Sequence, residues 1–97
     1  MRSNEFGNFF KKKRIASGVT QQEIADSLGY TTPQFISNWE RGVSHPPIKK
    51  FKSLAEIIKC PADELFEAFL AATILEIKSD LTRKFDSSPK RIKVGSR

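Results

Sequence analysis

A chain of 97 residues holds one compact domain and a short tail, not two domains. Seventeen lysines and arginines against eleven acids give a formal net charge of +6, which points to an anionic partner, nucleic acid or an acidic membrane face. The single cysteine, Cys60, excludes an intramolecular disulfide and a cysteine-based zinc site, and no apolar run approaches the ~20 residues that a membrane span needs. The charge is unevenly placed. Residues 1–14 carry five bases against one acid and residues 78–97 seven against two, while 15–77 carry five against eight. Two basic ends flank a mildly acidic middle. The phenylalanines near the start form no signal-peptide core, because Lys11 to Arg14 follow at once. The expectation is a soluble, cytoplasmic protein with no membrane partner.

Five helices and no strand are expected. The first runs from Ser3 or Asn4 to Ala16, with an apolar stripe of Phe6, Phe9 and Phe10 that Ile15 extends, and Gly18 stops it. Thr20 opens the second. Glu23 three residues later completes a capping box, and Val19 with Ile24 occupies the two positions of a hydrophobic staple. Ile24, Ala25 and Leu28 form its inner face, and Gly29 ends it. The third opens with Thr32 as N-cap and Pro33 as first helical residue. Phe35, Ile36 and Trp39 face inward, and Gly42 closes it. The fourth begins near Pro46-Pro47, with Ile48, Phe51, Leu54, Ala55 and Ile58 at spacings of three and four. The fifth starts at Pro61, places Asp63 and Glu64 in its first turn where they suit the helix dipole, and runs well past Ile77. From Asp86 the chain reads as a flexible basic tail. These elements divide it into a domain over residues 1–77 and, over 78–97, a helical extension and disordered tail.

The second and third helices are short and joined by a tight, glycine-containing link, the pattern of a helix-turn-helix from Thr20 to Gly42. The second helix of such a pair fits the DNA major groove. With Phe35, Ile36 and Trp39 inward, its outer face carries Pro33, Gln34, Ser37, Asn38 and Arg41. Asparagine and glutamine pair with base edges, and Gln34 and Asn38, four residues apart, share one face. Base reading is therefore expected from Gln34, Asn38, Pro33 and Ser37.

The run Gly18-Val19-Thr20-Gln21-Gln22-Glu23-Ile24-Ala25, then Leu28-Gly29, then Ile36-Ser37-Asn38-Trp39-Glu40-Arg41-Gly42, resembles the Cro and phage-repressor (Xre-like) helix-turn-helix family. The stretch from Pro46-Pro47 to Leu65, with Leu54-Ala55 and Asp63-Glu64-Leu65, is similar to that family's fourth and fifth helices. The resemblance covers residues 6–66. It implies an all-α, five-helix, lambda-repressor-like DNA-binding domain. It implies that Gln21 and the N–H groups beside it hold a phosphate, that Pro33, Gln34 and Asn38 face bases, and that Arg14 pairs with Glu40 near the DNA backbone. Ser44 and His45 in the following loop, with Thr32 and Arg41 at the two ends of the reading face, complete the expected phosphate contacts. One departure stands out: six residues, Tyr30 to Phe35, separate Gly29 from Ile36, where the family pattern has five. The extra residue falls in the link, at Tyr30 or Thr31.

No glycine-rich phosphate loop, nucleophile elbow or metal-ligand spacing occurs, so no enzyme, metal or cofactor is expected. His45 has no neighbouring acid or cysteine cluster, and Cys60 reads as a small buried side chain. The fifth helix carries an apolar stripe longer than one small core can cover. Either the stripe packs back on the first helix or it pairs with a second copy; a homodimer through Phe69, Ile74, Ile77 and Leu81 is the favoured expectation, and it would set two recognition helices one DNA turn apart on a pseudo-palindrome. Three functions fit: a repressor acting on its operator, an antitoxin-like module that binds a protein partner and its own promoter, or a non-specific nucleoid-type protein.

Overall fold

The computed structural model describes residues 4–90, which form helices α1 (Glu5–Ala16), α2 (Gln21–Leu28), α3 (Gln34–Arg41), α4 (Phe51–Ile57, entered through a 3-10 turn at Ile48–Lys50) and α5 (Ala62–Ser87). There is no strand among the described residues. The fold is all-α with five helices. Most of the expected tail, Arg91 onward, lies outside the described residues, but Asp86 and Ser87 still belong to α5 rather than to a tail.

Local chemistry sets the boundaries. Glu5 sits in the first turn of α1 and Lys13 and Arg14 in its last, each matching the helix dipole. The capping box of α2 is present in full: Thr20 Oγ1 accepts from the Glu23 N–H at 3.0 Å, and Glu23 Oε1 accepts from the Thr20 N–H at 2.8 Å. Helix α3 opens one residue later than expected. The Thr32 hydroxyl accepts from the Gln34 N–H at 3.2 Å and the Pro33 carbonyl from the Ser37 N–H at 3.0 Å. Gly42 ends α3 with φ +79°, a backbone state that a side chain disfavours.

Each α-helix supplies a large, fully buried side chain to a single core: Phe10 from α1, Ile24 from α2, Ile36 from α3, Leu54 and the adjoining Ile58 from α4, and Leu65 from α5. Trp39 joins them. Three expected core positions are exposed instead. Ile15, 58% exposed, lies nine positions beyond Phe6 and so points half a turn away from it. Ile48 falls in the 3-10 turn ahead of α4 and faces solvent. Phe35, 52% exposed, points outward from α3, while the carboxylate-bearing Glu40 takes the inward place.

Helices α1 and α3 approach closely because residue 7 is glycine. The Asn4 side-chain amide donates to the Glu40 carbonyl at 2.7 Å, and a Cβ on Gly7 would land on that carbonyl and on the Asn4 side chain. The obstacle is backbone, so a rotamer change cannot relieve it. Gly7→Ala is expected to lower stability by about 1–3 kcal/mol. A urea-melt midpoint shifted at unchanged slope is the check.

Helix α5 has two halves. Its first turns pack Leu65, Phe69 and Ala72 on α1 and α4. The rest projects, running through residue 78 without a break, and makes the molecule 63 Å long but 26 Å and 23 Å across. Ile74, Ile77, Leu81 and Phe85 on this half are all more than half exposed. No helix among the described residues is long and apolar enough to cross a membrane.

Candidate nucleic-acid interface

The outer face of α3 is one hydrogen-bonded strip. Asn38 Oδ1 accepts from Gln34 Nε2 at 3.0 Å and from Arg41 Nη2 at 2.6 Å, and Arg41 Nε donates to Ser37 Oγ at 3.3 Å. These residues stand at positions i, i+3, i+4 and i+7 and so share one side of the helix. A guanidinium only donates, so Arg41 fixes which end of the Asn38 amide turns toward it. The strip therefore presents the Asn38 NH2 group, the Gln34 carbonyl oxygen and the remaining guanidinium N–H groups to whatever lies above. Donors and acceptors of this kind match the edges of base pairs.

Behind the strip lies a buried ionic tie. Glu40, 5% exposed, accepts from Arg14 Nε, from Arg14 Nη2 at 3.2 Å and from Gln21 Nε2 at 2.9 Å. Arg14 Nη1 donates to the Val19 carbonyl at 2.9 Å. Helix α1, the start of α2 and the end of α3 are thereby held in one geometry. Among the described residues no buried side-chain nitrogen or oxygen lacks a partner.

The expected phosphate contacts divide accordingly. Gln21 opens α2 beside the strip and lines a shallow groove with Thr32, Pro33, Gln34 and Ser37. Arg41 is exposed at the far end of the strip. Arg14 is turned inward by Glu40, so it serves as a strut rather than an outward ligand. Its side chain is 13% exposed. His45 packs its ring edge-on against Phe69 of α5, centroids 5.2 Å apart, and remains exposed. Ser44 stays at the C-terminal end of α3, its N–H donating to the Asn38 carbonyl at 3.4 Å. Two further residues enter. Asn8 and Lys11 of α1 line a second groove with Gln21, Ser37 and Arg41. The spacing Asn4, Asn8, Lys11 carries that signal in the sequence, hidden there inside a lysine run.

The expected dimer stripe also divides. Phe69 belongs to this chain's own core, with its ring against Phe6 at 5.2 Å and Phe51 at 5.1 Å. Ile74, Ile77 and Leu81 remain exposed and line up with Leu70 at spacings of four, three and four. Cys60 is buried, and burial first, then the Glu64 charge, raises its thiol pKa, which keeps it protonated and unreactive. No cluster of metal-ligating side chains occurs among the described residues.

Comparison with protein families matches a helix-turn-helix family model over residues 10–65, a span that contains the capping box, both short helices and the Arg14–Glu40 tie. The chain belongs to the Xre/Cro-like helix-turn-helix family. It is also similar to the SPbeta prophage-derived uncharacterized HTH-type transcriptional regulator YonR of Bacillus subtilis (strain 168), 36% identical over 62 residues. That match takes in 64% of this chain and 56% of the relative, so the chain spans little more than half of the relative's length. The helix-turn-helix family thus covers α2, α3 and the helices packed on them, while the projecting half of α5 lies beyond the matched span.

Proposed function

We propose that this helix-turn-helix protein is a sequence-specific DNA-binding transcriptional regulator, a dimeric repressor that occludes a pseudo-palindromic operator. The observation that carries the reading is the solvent-facing strip of Gln34, Ser37, Asn38 and Arg41 on α3, pre-ordered by its own hydrogen bonds. Preordering reduces the side-chain entropy lost on binding. Gln34, Asn38, Ser37 and Pro33 read bases. Gln21, Thr32, Arg41 and Ser44, with Lys11 and Asn8 beside them, hold phosphates. Similarity to a transcriptional regulator supports the regulatory role. Leu70, Ile74, Ile77 and Leu81 supply the apolar seam for a second copy, and two-fold symmetry then sets two reading heads ~34 Å apart. A cytoplasmic location and the absence of catalysis belong to the same reading.

The deciding experiment is selection of bound sequences from a random DNA pool at ~150 mM salt, which suppresses non-specific phosphate binding. An enriched inverted repeat with half-sites about ten base pairs apart is the expected result. On that site, Gln34→Ala and Asn38→Ala should each cost about 1–3 kcal/mol and relax one base position, whereas Gln21→Ala should weaken all sequences about equally. Selection that yields no motif sinks the proposal. A second reading rests on the exposed half of α5: a module that binds a different protein there and also regulates its own promoter. Light scattering of the free protein separates the two, a dimer mass favouring the first and a monomer the second.

A further inference from the structure

Phe35 is the one large hydrophobic residue on α3 that the fold leaves exposed. It is the second residue of the helix, directly after Gln34 and about 60° round the helix from Asn38. It is also held in place. Its ring lies against Tyr30 with centroids 4.8 Å apart and planes 37° apart. Tyr30 in turn meets Trp39 edge-on at 5.9 Å, and the Lys50 ammonium sits 5.4 Å from the Tyr30 ring centre. The Tyr30 N–H donates to the Ala25 carbonyl at 2.8 Å, which pins the base of this stack to the end of α2.

A fixed phenyl ring half in water is unfavourable unless something apolar covers it. Its neighbours restrict what that can be. Thr31, Thr32 and Gln34 precede it in the chain and Asn38 follows three residues on, so a surface that covers it must offer one small apolar spot among hydrogen-bonding groups. The major-groove edge of a thymine-containing base pair has that composition, a 5-methyl group beside polar atoms. A protein partner that buries its face on an apolar patch does not.

Resting on the DNA-binding reading, we infer that Phe35 is a base-reading residue, selecting thymine in each half-site through contact of its ring with the 5-methyl group. Tyr30 acts as the positioning residue that holds the ring at the groove.

The test uses the enriched site and the full chain. Each thymine is replaced in turn by uracil, which lacks only the methyl. The parent protein should lose about fourfold in affinity at one position per half-site, the worth of one buried methyl. Phe35→Ala should bind thymine and uracil equally at that position, while keeping its response to base changes read by Gln34 and Asn38. Phe35→Leu should retain part of the methyl preference. Indifference of the parent to every uracil overturns the inference, as does an enriched half-site without thymine, or a Phe35→Ala protein that keeps the parent's methyl preference. The uracil scan on the parent needs no variant to fold. A pool that yields no enriched site at all removes the regulator reading itself, and this inference with it.

Discussion

Glu40→Ala should remove about 3–5 kcal/mol of stability, a large part of the whole for a domain of this size. The carboxylate is almost fully enclosed and is the common acceptor for Arg14 and Gln21. Without it, a guanidinium stays buried with only the Val19 carbonyl to answer it. That uncompensated charge, rather than the lost attraction, dominates the expected cost. Arg14→Ala should be comparably harmful, because it strands the carboxylate. The pair Arg14→Met with Glu40→Leu should recover most of the loss, since two apolar side chains of similar size replace two charges that were costly to desolvate. Urea melts followed by circular dichroism on the four proteins provide the check. Single variants each within 1 kcal/mol of the parent would mean that water reaches the pair.

Phe10→Ala belongs to the same range, about 3–5 kcal/mol. The Phe10 ring is fully buried, nearly parallel to Phe6 at 6.2 Å and tilted against Trp39 at 6.3 Å. It is the apolar link between α1 and the inner side of α3, so alanine leaves a cavity under the reading helix. Phe10→Leu, which keeps most of the volume, should cost about 1–2 kcal/mol. Thermal melts that leave the two variants equal would show that the cavity collapses rather than persists.

Much of the architecture was readable from residues alone, and the parts that were not share a cause. Thr20 with Glu23, and the glycines at 29 and 42, mark helix ends by local chemistry, and local chemistry is visible in sequence. The inner face of α3 was not fully readable. A pattern of apolar residues puts Phe35 inward, and the fold leaves it half exposed against Tyr30. The same pattern is silent on Glu40, whose carboxylate is buried by its hydrogen bonds with Arg14 and Gln21. The family resemblance does connect Arg14 with Glu40, but hydrophobic spacing cannot. Phe69 and His45 also depend on contacts between distant parts of the chain, Phe69 with Phe6 and Phe51 and His45 with Phe69, which periodicity along one element does not reveal. Helical spacing puts Gln34, Ser37, Asn38 and Arg41 on one side of α3, whereas the hydrogen bonds that join them depend on rotamers that spacing does not specify.

The Asn4 contact carries a practical lesson for anyone handling the protein. Its amide ties the chain to the Glu40 carbonyl at the end of α3, beside the groove that Lys11, Gln21 and Arg41 line. A group attached at Asn4 would therefore stand beside the surface proposed to meet DNA. An affinity tag or fluorophore placed there would crowd the binding reaction it was added to report. The far end of α5 points away from the reading head, and a label attached there would instead turn the long helix into a pointer whose orientation can be followed while the other end is occupied.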